Sequence, residues 1–310
     1  MKAAMKPIVI LGVFVADTAY RAARQPRMGE TILGDSFALG PGGKGSNQAV
    51  AAARAGGDVR FITRLGRDTF ADMALATWAG AGVKPAVTQD AGSYTGAAYI
   101  FVDSATGDNA IIVAPGAAAL ISEADIDGQA ALIAGAGVFV TQLEQPLPAA
   151  LRALQIAREG GVTTILNPAP AAPLPAGMLA LCDYVTPNES EAEALTGLPV
   201  TTPSEAEAAA RALRAMGAGA AVITLGAQGA LYHDGTRTVH VPALNAGPVA
   251  ETTGAGDAFN GGFAVALAEG ADPVAAVRFG CATAAISVTR PGTAPSMPAR
   301  TEIDALLARG

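Results

Sequence analysis

A glycine-rich cluster near the C-terminal end carries the strongest chemical signal in the sequence. Residues 254–256 read Gly-Ala-Gly, and Asp257 follows them at the start of a predicted helix. Backbone N–H groups left bare by small residues, at the positive end of a helix dipole, would stabilise the negative charge on a phosphoryl group during transfer. Asp257 would accept the proton of an attacking hydroxyl group. A helix-capping carboxylate is the simpler alternative, but a plain cap does not require the glycines around it.

A second glycine-rich cluster, residues 40–48, leads directly into an alanine-rich helical pattern. Three glycines before a helix start let backbone N–H groups approach a polar ligand closely. The cluster is not a phosphate-binding loop of the Walker A type, because Gly45 follows Lys44 and Ala38 stands where the first glycine is required. On these residues alone, a tight turn with a glycine-rich cap explains the cluster equally well.

Polar residues follow two further predicted strands. Asn188, Glu191 and Glu193 come after one of them, and the loop 224–229 comes after the other. Because the carboxyl ends of parallel strands meet at one edge of a sheet, we expect these residues to lie near Asp257. Carboxylate and amide oxygens suit Mg²⁺ held through water, and the loop offers flat backbone for a nucleotide. Either glutamate alone would be explained by a solvated helix face.

The elements that must position these residues alternate along the chain. Short β-branched runs predict strands at 7–15, 58–64, 137–141, 162–166, 183–186 and 220–224. Alanine-rich patterns predict helices at 44–56, 68–81, 122–134, 147–159 and 203–216. Such alternation is typical of a mainly parallel sheet covered by helices on both faces, so the predicted fold class is a doubly wound α/β fold. The segments 142–144 and 167–170 also end predicted strands and are expected to reach the same cleft.

Two segments interrupt this alternation. Residues 17–40 and 92–115 contain short pieces of alternating polarity, and a turn over 104–108 separates two of these pieces as in a hairpin. We expect a small sheet set apart from the main one, which would act as a lid over a binding site. An extension of the central sheet is the alternative that periodicity alone leaves open.

Composition excludes several classes of function. With 51% hydrophobic residues the 310-residue chain is not disordered, and its net charge of -7 argues against a nucleic-acid partner. No run reaches the roughly 18 apolar residues of a membrane span, and no small-x-small cleavage site follows the apolar run 7–16, so we expect a cytoplasmic protein without a membrane partner. Cys182 and Cys281 form no CxxC motif and are expected to be buried. His233 and His240 are expected on surface strands, without a carboxylate or cysteine at metal-ligand spacing.

The order and spacing of these motifs resemble the ribokinase (PfkB) family of carbohydrate kinases. The resemblance rests on the segments 42–47 and 254–257, about 210 residues apart, and is strengthened by 167–170, 187–191 and 288–292. It extends from Ile8 to the helix after Thr301. It implies one kinase domain over residues 1–310, with lid segments at about 13–40 and 92–115, that transfers a phosphoryl group from ATP to a sugar hydroxyl.

The resemblance also implies roles for individual residues. The sugar would be held by Asp17, Gly42, Gly43, Lys44, Asn47 and Glu144. Asp257 would be the general base for the primary hydroxyl, beside an anion hole formed by Gly254, Ala255 and Gly256. Glu191 would position Mg²⁺, and ATP would contact Asn188, Thr224, Gly226 and Gly229. A monovalent cation, usually K⁺ in this family, would lie near Glu251, Thr253, Ser287, Arg290, Gly292 and Ser296, several of them acting through backbone carbonyls. Since the lid is commonly the dimer interface in the family, a homodimer is implied.

Two positions depart from the family pattern. Glu251 stands where its ribokinases typically have Asp, which keeps the charge but adds a methylene to the cation site. Val15 stands where they have Asn, two positions before Asp17, and cannot bond a ribose hydroxyl. Losing such a partner relaxes or redirects the choice of substrate.

The leading hypothesis is therefore a pentose kinase, with D-ribose as its first candidate substrate. A kinase for another sugar or nucleoside, such as 2-deoxyribose, fructose or adenosine, is the alternative within the same class. A non-catalytic sugar-binding regulator is the alternative from another class, although the intact segment 254–257 argues against it.

Overall fold

Alternate side chains of the first strand pack into two different hydrophobic clusters, one on each side of the sheet. Ile8 and Ile10 pack into one hydrophobic cluster, Val9 and Leu11 pack into another, and all four side chains are buried. Because successive side chains of a strand point to opposite faces, a strand that is apolar at every position belongs to a sheet covered on both sides.

The computed structural model describes residues 6–309. In that range the strands are β1 (Ile8–Leu11), β2 (Val15–Ala22), β3 (Ser36–Gly42), β4 (Val59–Leu65), β5 (Lys84–Gln89), β6 (Thr95–Asp103), β7 (Asn109–Gly116), β8 (Val138–Thr141), β9 (Thr163–Leu166), β10 (Tyr184–Val185), β11 (Ala220–Thr224), β12 (Ala230–His233) and β13 (Thr238–Val241). The α-helices are α1 (Lys44–Arg54), α2 (Thr69–Ala81), α3 (Glu123–Asp127), α4 (Ala130–Ala134), α5 (Leu147–Glu159), α6 (Glu189–Thr196), α7 (Pro203–Ala215), α8 (Ala255–Ala268), α9 (Pro273–Ser287) and α10 (Arg300–Leu307).

The central sheet follows the order β13-β12-β11-β10-β9-β8-β1-β4-β5. Its strands from β11 to β5 are parallel, and β12 and β13 add an antiparallel edge. Helices α1, α2 and α8 to α10 contribute to one core, and α3 to α7 contribute to the other. β1 pairs with β4 on one side and with β8 on the other, so the winding reverses at β1. The predicted doubly wound α/β fold is confirmed, and the expected binding crevice lies at the carboxyl ends of the strands around β1.

A second, separate sheet has the order β3-β2-β6-β7 and is here called the lid sheet. β2 pairs antiparallel with β3 and parallel with β6, and β6 and β7 form the predicted hairpin. The predicted small sheet is thus confirmed, and these strands do not extend the central sheet. Asp17 lies on one face, and the opposite face carries Tyr20, Phe37, Tyr99 and Ile112, because alternate residues of a strand point to opposite sides.

Two predicted elements are divided in the structure. The predicted strand 7–15 consists of β1 and the first residue of β2, because the chain leaves the central sheet at Gly12 and enters the lid sheet. An added Cβ at Gly12 would lie 2.7 Å from the backbone of α1, so this crossing requires glycine. The predicted helix 122–134 is interrupted at Gly128 and forms the two short helices α3 and α4.

Two expectations about single residues have different outcomes. Cys182 and Cys281 are buried, as expected. His233 and His240 lie on strands, but the surface position expected for His233 is wrong: its ring is buried and lies 3.0 Å from the Thr238 hydroxyl. The reason is that β12 lies between β11 and β13, with all of its residues buried. Among the described residues, no helix combines the length and the apolar character needed to cross a membrane.

Candidate functional site

Asp257 lies in the first turn of α8, where its carboxylate is buried against α1. Its Oδ2 accepts a hydrogen bond from Asn47 Nδ2 (3.0 Å), and its Oδ1 accepts one from Gln48 Nε2 (3.1 Å). Burial raises the pKa of Asp257, whereas the positive charge of Lys44 and the two amide donors oppose this rise. The two glycine-rich clusters, which are far apart in the sequence, therefore meet side by side.

The turn before α8 presents backbone N–H groups. Gly254 caps the helix, and the N–H groups of Gly254 and Gly256 have no acceptor among the described residues. The N–H group of Ala255 differs, because it already donates to the Thr252 carbonyl (3.1 Å). The helix dipole adds positive potential here, so the turn can hold an anion, with two of the three predicted anion-hole residues offering an N–H group.

The carboxylate of Asp17 lies over Gly42 at the end of β3. A Cβ at position 42 would overlap this carboxylate, so glycine is required for Asp17 to reach the start of α1. Gly43 caps α1, and Lys44 is the first residue of that helix. The residues predicted to hold a sugar are therefore gathered around one helix start.

Two carboxyl groups with raised pKa values flank this helix start. Burial raises the pKa of Asp17 to about 6. Burial raises the pKa of Glu144 to about 7, although the charge of Lys44 and the bond from its backbone N–H to Glu144 Oε2 (2.7 Å) act in the opposite direction. Partly buried carboxyl groups with displaced pKa values in a cleft are typical of functional sites. Together with Asn47 they offer the polar contacts that a polyol needs.

A cavity of about 530 Å³ opens beside the turn before α8. Its lining includes the four residues predicted to contact a nucleotide, Asn188, Thr224, Gly226 and Gly229. Sequence reasoning missed its apolar wall, which is formed by Leu244, Val249, Phe259, Cys281, Ala284 and Val288. Phe259, Cys281 and Ala284 lie on α8 and α9, whose apolar patterns are those of core helices, and the others lie in the adjoining loops, so no polar signal in the sequence marks this wall. An apolar slot with a few polar groups at its rim suits a planar ring system that carries a polar substituent.

A smaller cavity of about 130 Å³ lies between the two sites. Lys44 and Asp257 line it, and it shares Asn188, Thr224 and Gly256 with the larger cavity. A group bound in the small cavity would contact both a ligand in the large cavity and a ligand beside Asp257. The geometry therefore permits transfer of a small anionic group between the two.

Glu191, the residue predicted for Mg²⁺, lines the small cavity. One of its oxygens accepts the Asn188 N–H (2.9 Å) in the capping box of α6, and burial raises its pKa. Within residues 6–309, no group of three or more His, Cys, Asp or Glu side chains converges to hold a metal ion. A single carboxyl group that borders a cavity fits Mg²⁺ held through water and through the phosphate oxygens of a ligand, which is how this ion is usually bound.

The residues predicted around a monovalent cation lie in two adjoining segments, 251–253 and 287–296, the second of which begins at the last residue of α9. Glu251 accepts the N–H of Gly292 (2.8 Å) and donates its own N–H to the Val288 carbonyl (3.1 Å). The guanidinium of Arg290 forms an ion pair with Glu302, which leaves its backbone as the part available to a cation. The Glu251 carboxylate and the neighbouring backbone carbonyls are therefore the oxygen atoms that a cation bound between these segments would contact.

The other three predicted cation residues belong to the same two segments. Ser287 Oγ donates to the Ala284 carbonyl (2.9 Å), and Ser296 Oγ donates to the Thr293 carbonyl (2.7 Å). Because both hydroxyl groups give their protons to the backbone, their oxygens keep lone pairs for a cation. Thr253 lies in the turn between Glu251 and α8.

The two segments expected to reach the cleft do so beneath Asp257. Gln142 and Asn167 both bond the side chain of Gln48, at 2.6 Å and 3.1 Å. Gln48 itself had no predicted role, although it belongs to the second glycine-rich cluster. Its position next to Asn47 was the signal in the sequence that could have revealed it.

Comparisons with known proteins agree with this arrangement. Residues 5–300 match the profile of the pfkB family carbohydrate kinases. The chain is 39% identical over 298 residues to the ribokinase of Haemophilus influenzae, covering 96% of this chain and 97% of that protein. It is 37% identical over 293 residues to the deoxyribokinase of Salmonella typhi, covering 94% and 95%.

A solved structure is similar over the same length. Arabidopsis thaliana ribokinase, complexed with ribose and ATP, matches with a TM-score of 0.92 at 30% sequence identity, covering 98% of this chain and 99% of that one. Because the family match and these relatives span nearly the whole chain, the chain belongs to the pfkB family of carbohydrate kinases.

Proposed function

We propose that this kinase transfers the γ-phosphoryl group of ATP to the primary hydroxyl of a pentose, with D-ribose as the preferred substrate and ribose 5-phosphate as the product. The observation that carries the proposal is the carboxylate of Asp257, which borders the small cavity and, among the described residues, accepts side-chain hydrogen bonds from two neutral amide groups, those of Asn47 and Gln48. The ribokinase relatives support the choice of sugar, and a related structure complexed with ribose and ATP supports the choice of donor.

The reaction needs a base, an anion hole and a positive charge in one place. Asp257 takes the proton of the hydroxyl as the hydroxyl oxygen bonds to the γ-phosphorus, and the bond from this phosphorus to the leaving oxygen of ADP breaks. The N–H groups of Gly254 and Gly256, with the ammonium group of Lys44, stabilise the charge on the phosphoryl oxygens. Asp17 accepts hydrogen bonds from hydroxyl groups of the sugar and so contributes to its binding.

Both ions belong to the proposal. Glu191 would hold Mg²⁺ through water, and the bound ion neutralises charge on the phosphate oxygens of ATP. Glu251 and the loop 287–296 would hold K⁺, and residues 251–253 connect this place to the anion-hole turn at Gly254. A cation there would order the backbone whose N–H groups face the phosphoryl group.

Val15 is the residue that we expect to influence the choice between sugars. It lies two residues before Asp17 on the same face of β2, buried in the hydrophobic cluster that includes Val13 and Ala98. It therefore offers an apolar contact near the sugar, which makes 2-deoxyribose the strongest competitor of D-ribose. Other sugars and nucleosides are less favoured by the relatives, and the intact base and anion hole argue against a non-catalytic regulator.

We also propose a cytoplasmic homodimer with one kinase domain in each chain, assembled through the outer face of the lid sheet. On that face Tyr20, Phe37 and Ile112 are 43%, 57% and 67% exposed. The rings of Tyr20 and Phe37 lie 5.0 Å apart, so the exposed apolar groups are contiguous. Contiguous exposed apolar patches mark protein interfaces.

The test is ADP release from MgATP with D-ribose, 2-deoxyribose, fructose and adenosine, each with Na⁺ and with K⁺. We expect D-ribose with K⁺ to give the highest kcat/KM. Val15→Asn is the matched variant, and it should raise the preference for D-ribose over 2-deoxyribose by about tenfold through one added hydrogen bond. A preference for another substrate would contradict the ribose assignment, and no turnover with any of them would contradict the kinase.

A further inference from the structure

A chain of buried amide side chains lies beneath Asp257. Gln142 Nε2 donates to Gln48 Oε1 (2.6 Å), and Gln48 Nε2 donates to Asp257 Oδ1 (3.1 Å) and to Asn167 Oδ1 (3.1 Å). Gln48 and Gln142 have no exposed surface. Polar side chains at such depth are costly to bury, so a set of them that converges on one carboxylate requires an explanation.

The amide of Gln48 has one favourable orientation in this network. Its NH₂ group must face Asp257, because its carbonyl oxygen there would meet a carboxylate oxygen with no proton between them. Its carbonyl oxygen then faces Gln142, whose NH₂ group supplies the matching donor. Gln142 is confined in turn, since a Cβ added at Gly12 or at Gly45 would lie 2.5 Å or 2.8 Å from its Oε1. The NH₂ group of Gln142 therefore stabilises the orientation in which the NH₂ group of Gln48 faces the carboxylate.

Asn167 extends the network to the anion-hole turn. Its Nδ2 donates to the Thr186 carbonyl (2.9 Å), and the Thr186 hydroxyl donates to Asn260 Oδ1 (2.7 Å). Asn260 Nδ2 then donates to the carbonyl of Gly256 (2.8 Å). Gln48 thus connects the proposed base and the proposed anion hole through one set of buried hydrogen bonds.

We propose that Gln48 is a positioning residue for phosphoryl transfer: its amide, oriented by Gln142, fixes the carboxylate of Asp257 and keeps it able to accept the hydroxyl proton. Gln48 acts through Asp257, and this role rests on the proposed function of Asp257 as the base. A donor bonded to a carboxylate favours the charged form, so the Gln48 amide counteracts the effect of burial on the Asp257 pKa.

Three charged groups face Asp257 from the elements packed around it. Lys44 belongs to α1, Glu144 to the loop after β8, and Glu191 to α6. Because the pKa of Glu144 is about 7, its titration falls within the pH range of an activity assay. The variant Glu144→Gln removes that titration and leaves the contacts of Gln48 in place. Any part of the wild-type pH profile that is absent from the profile of Glu144→Gln is therefore due to Glu144.

The test is the pH dependence of kcat at saturating D-ribose and MgATP. The acidic limb is the part of the profile in which kcat rises with pH, and in Gln48→Met we expect its apparent pKa to increase by about one unit. At pH values below this pKa, kcat should therefore be about tenfold lower than in the wild type. Gln48→Glu should move the limb further, since two adjacent carboxyl groups then compete for one proton. Gln142→Met, which frees the Gln48 amide to turn, should move it less. Gln145→Met is the matched control: this buried glutamine donates to Thr141 Oγ1 (2.7 Å) and to the backbone carbonyl of Gln142 (2.6 Å) but not to the Gln48 or Gln142 side chains, so its loss should leave the limb in place.

An acidic limb that stays in place in both Gln48 variants overturns the proposal, whether kcat is unchanged or falls equally at every pH, because a merely structural role does not move the limb. If Gln48→Met does not fold, the profile of Gln48→Glu decides. Asp257→Asn separates this proposal from the proposed function. Near-normal turnover in that variant refutes the base, whereas an inactive Asp257→Asn with an unmoved Gln48 limb refutes the positioning role alone.

Discussion

The starts of α1 and α8 place Asn47, Gln48 and Asp257 beside the carboxyl ends of the central strands, and this region is here called the catalytic edge. It differs in construction from the lid sheet. At the catalytic edge these side chains are buried, and they bond partners from distant parts of the chain. The lid sheet is a single layer in which Asp17 is half-buried on one face and Ile112 is largely exposed on the other.

The difference indicates separate tasks for the two regions. A buried polar network holds reacting groups within the small tolerance that proton transfer requires. A single layer with an exposed apolar face has fewer contacts to hold it, and it suits sugar binding and assembly with a partner. We therefore expect changes at the catalytic edge to lower kcat, and changes in the lid sheet to alter KM and oligomeric state.

The largest effect is expected for Asp257→Asn. The amide keeps the shape of the side chain but cannot accept the hydroxyl proton, so kcat should fall by about 10²–10⁴-fold with little change in KM for D-ribose. Initial rates of ADP release measure both constants. A urea unfolding curve of the variant that matches the wild-type curve is the control for folding. A kcat within threefold of wild type would remove Asp257 from the catalytic role.

A smaller effect of a different kind is expected for Asp17→Asn. KM for D-ribose should rise by about 10–100-fold, because a charged acceptor for a sugar hydroxyl is lost, while kcat at saturating sugar stays close to wild type. Asp108→Asn, which changes an exposed carboxylate in the turn between β6 and β7, is the control and should leave KM unchanged. An equal rise of KM in both variants would show that the effect is not specific to the site.

Asp17 should also link the lid sheet to the pH dependence of folding. Its pKa is about 6 in the folded protein against an ordinary value of 3.8, so between these values the folded state binds more protons than the unfolded state. The free energy of unfolding therefore falls as pH rises through that window, and Asp17→Asn avoids this loss. Urea unfolding should find the variant about 1–3 kcal/mol more stable than wild type at pH 8, with a smaller difference at pH 4.

The control for this prediction is a carboxyl group whose pKa is shifted in the opposite direction. Hydrogen bonds from the Gly92 N–H and from Arg64 hold the pKa of Asp90 below its usual value. Asp90→Asn should therefore give no gain of stability at pH 8. If Asp17→Asn proves less stable than wild type at pH 8, burial of the charged Asp17 carboxylate does not destabilise the folded protein, and the prediction is wrong.

The smallest effect on catalysis is expected on the outer face of the lid sheet. Ile112→Lys places a charge within the apolar face, so the proposed dimer should dissociate in sedimentation equilibrium while kcat changes less than in the carboxylate variants. Met216→Lys, the same change at an exposed apolar residue outside the lid sheet, should leave the dimer intact. A wild-type protein that sediments as a monomer would refute this interface.

Much of the fold follows from local patterns in the sequence. The helix predicted at 147–159 has these bounds in the structure, and the strands around β1 were placed by their β-branched runs. The division of the apolar run 7–15 between two sheets was not predictable, because both parts are equally apolar and the crossing depends on how closely Gly12 approaches α1. Tertiary contact, which local periodicity does not contain, decided that boundary.

The site shows the same limit. The resemblance to the ribokinase (PfkB) family predicted that the segments 42–47 and 254–257 act together, and Asn47 does contact Asp257. Gln48 was missed because its partner Gln142 is 94 residues away, and its position next to Asn47, the local signal, does not reveal that contact. The apolar wall of the large cavity was missed for a related reason, since Phe259 and its neighbours are indistinguishable from core residues in sequence.

The division between the catalytic edge and the lid sheet is tested most directly by raising the D-ribose concentration for Asp257→Asn and Asp17→Asn in one assay. If the lid sheet binds sugar and the catalytic edge performs the transfer, saturating D-ribose restores near-wild-type turnover to Asp17→Asn and none to Asp257→Asn. Recovery of both variants, or of neither, would contradict this division of tasks.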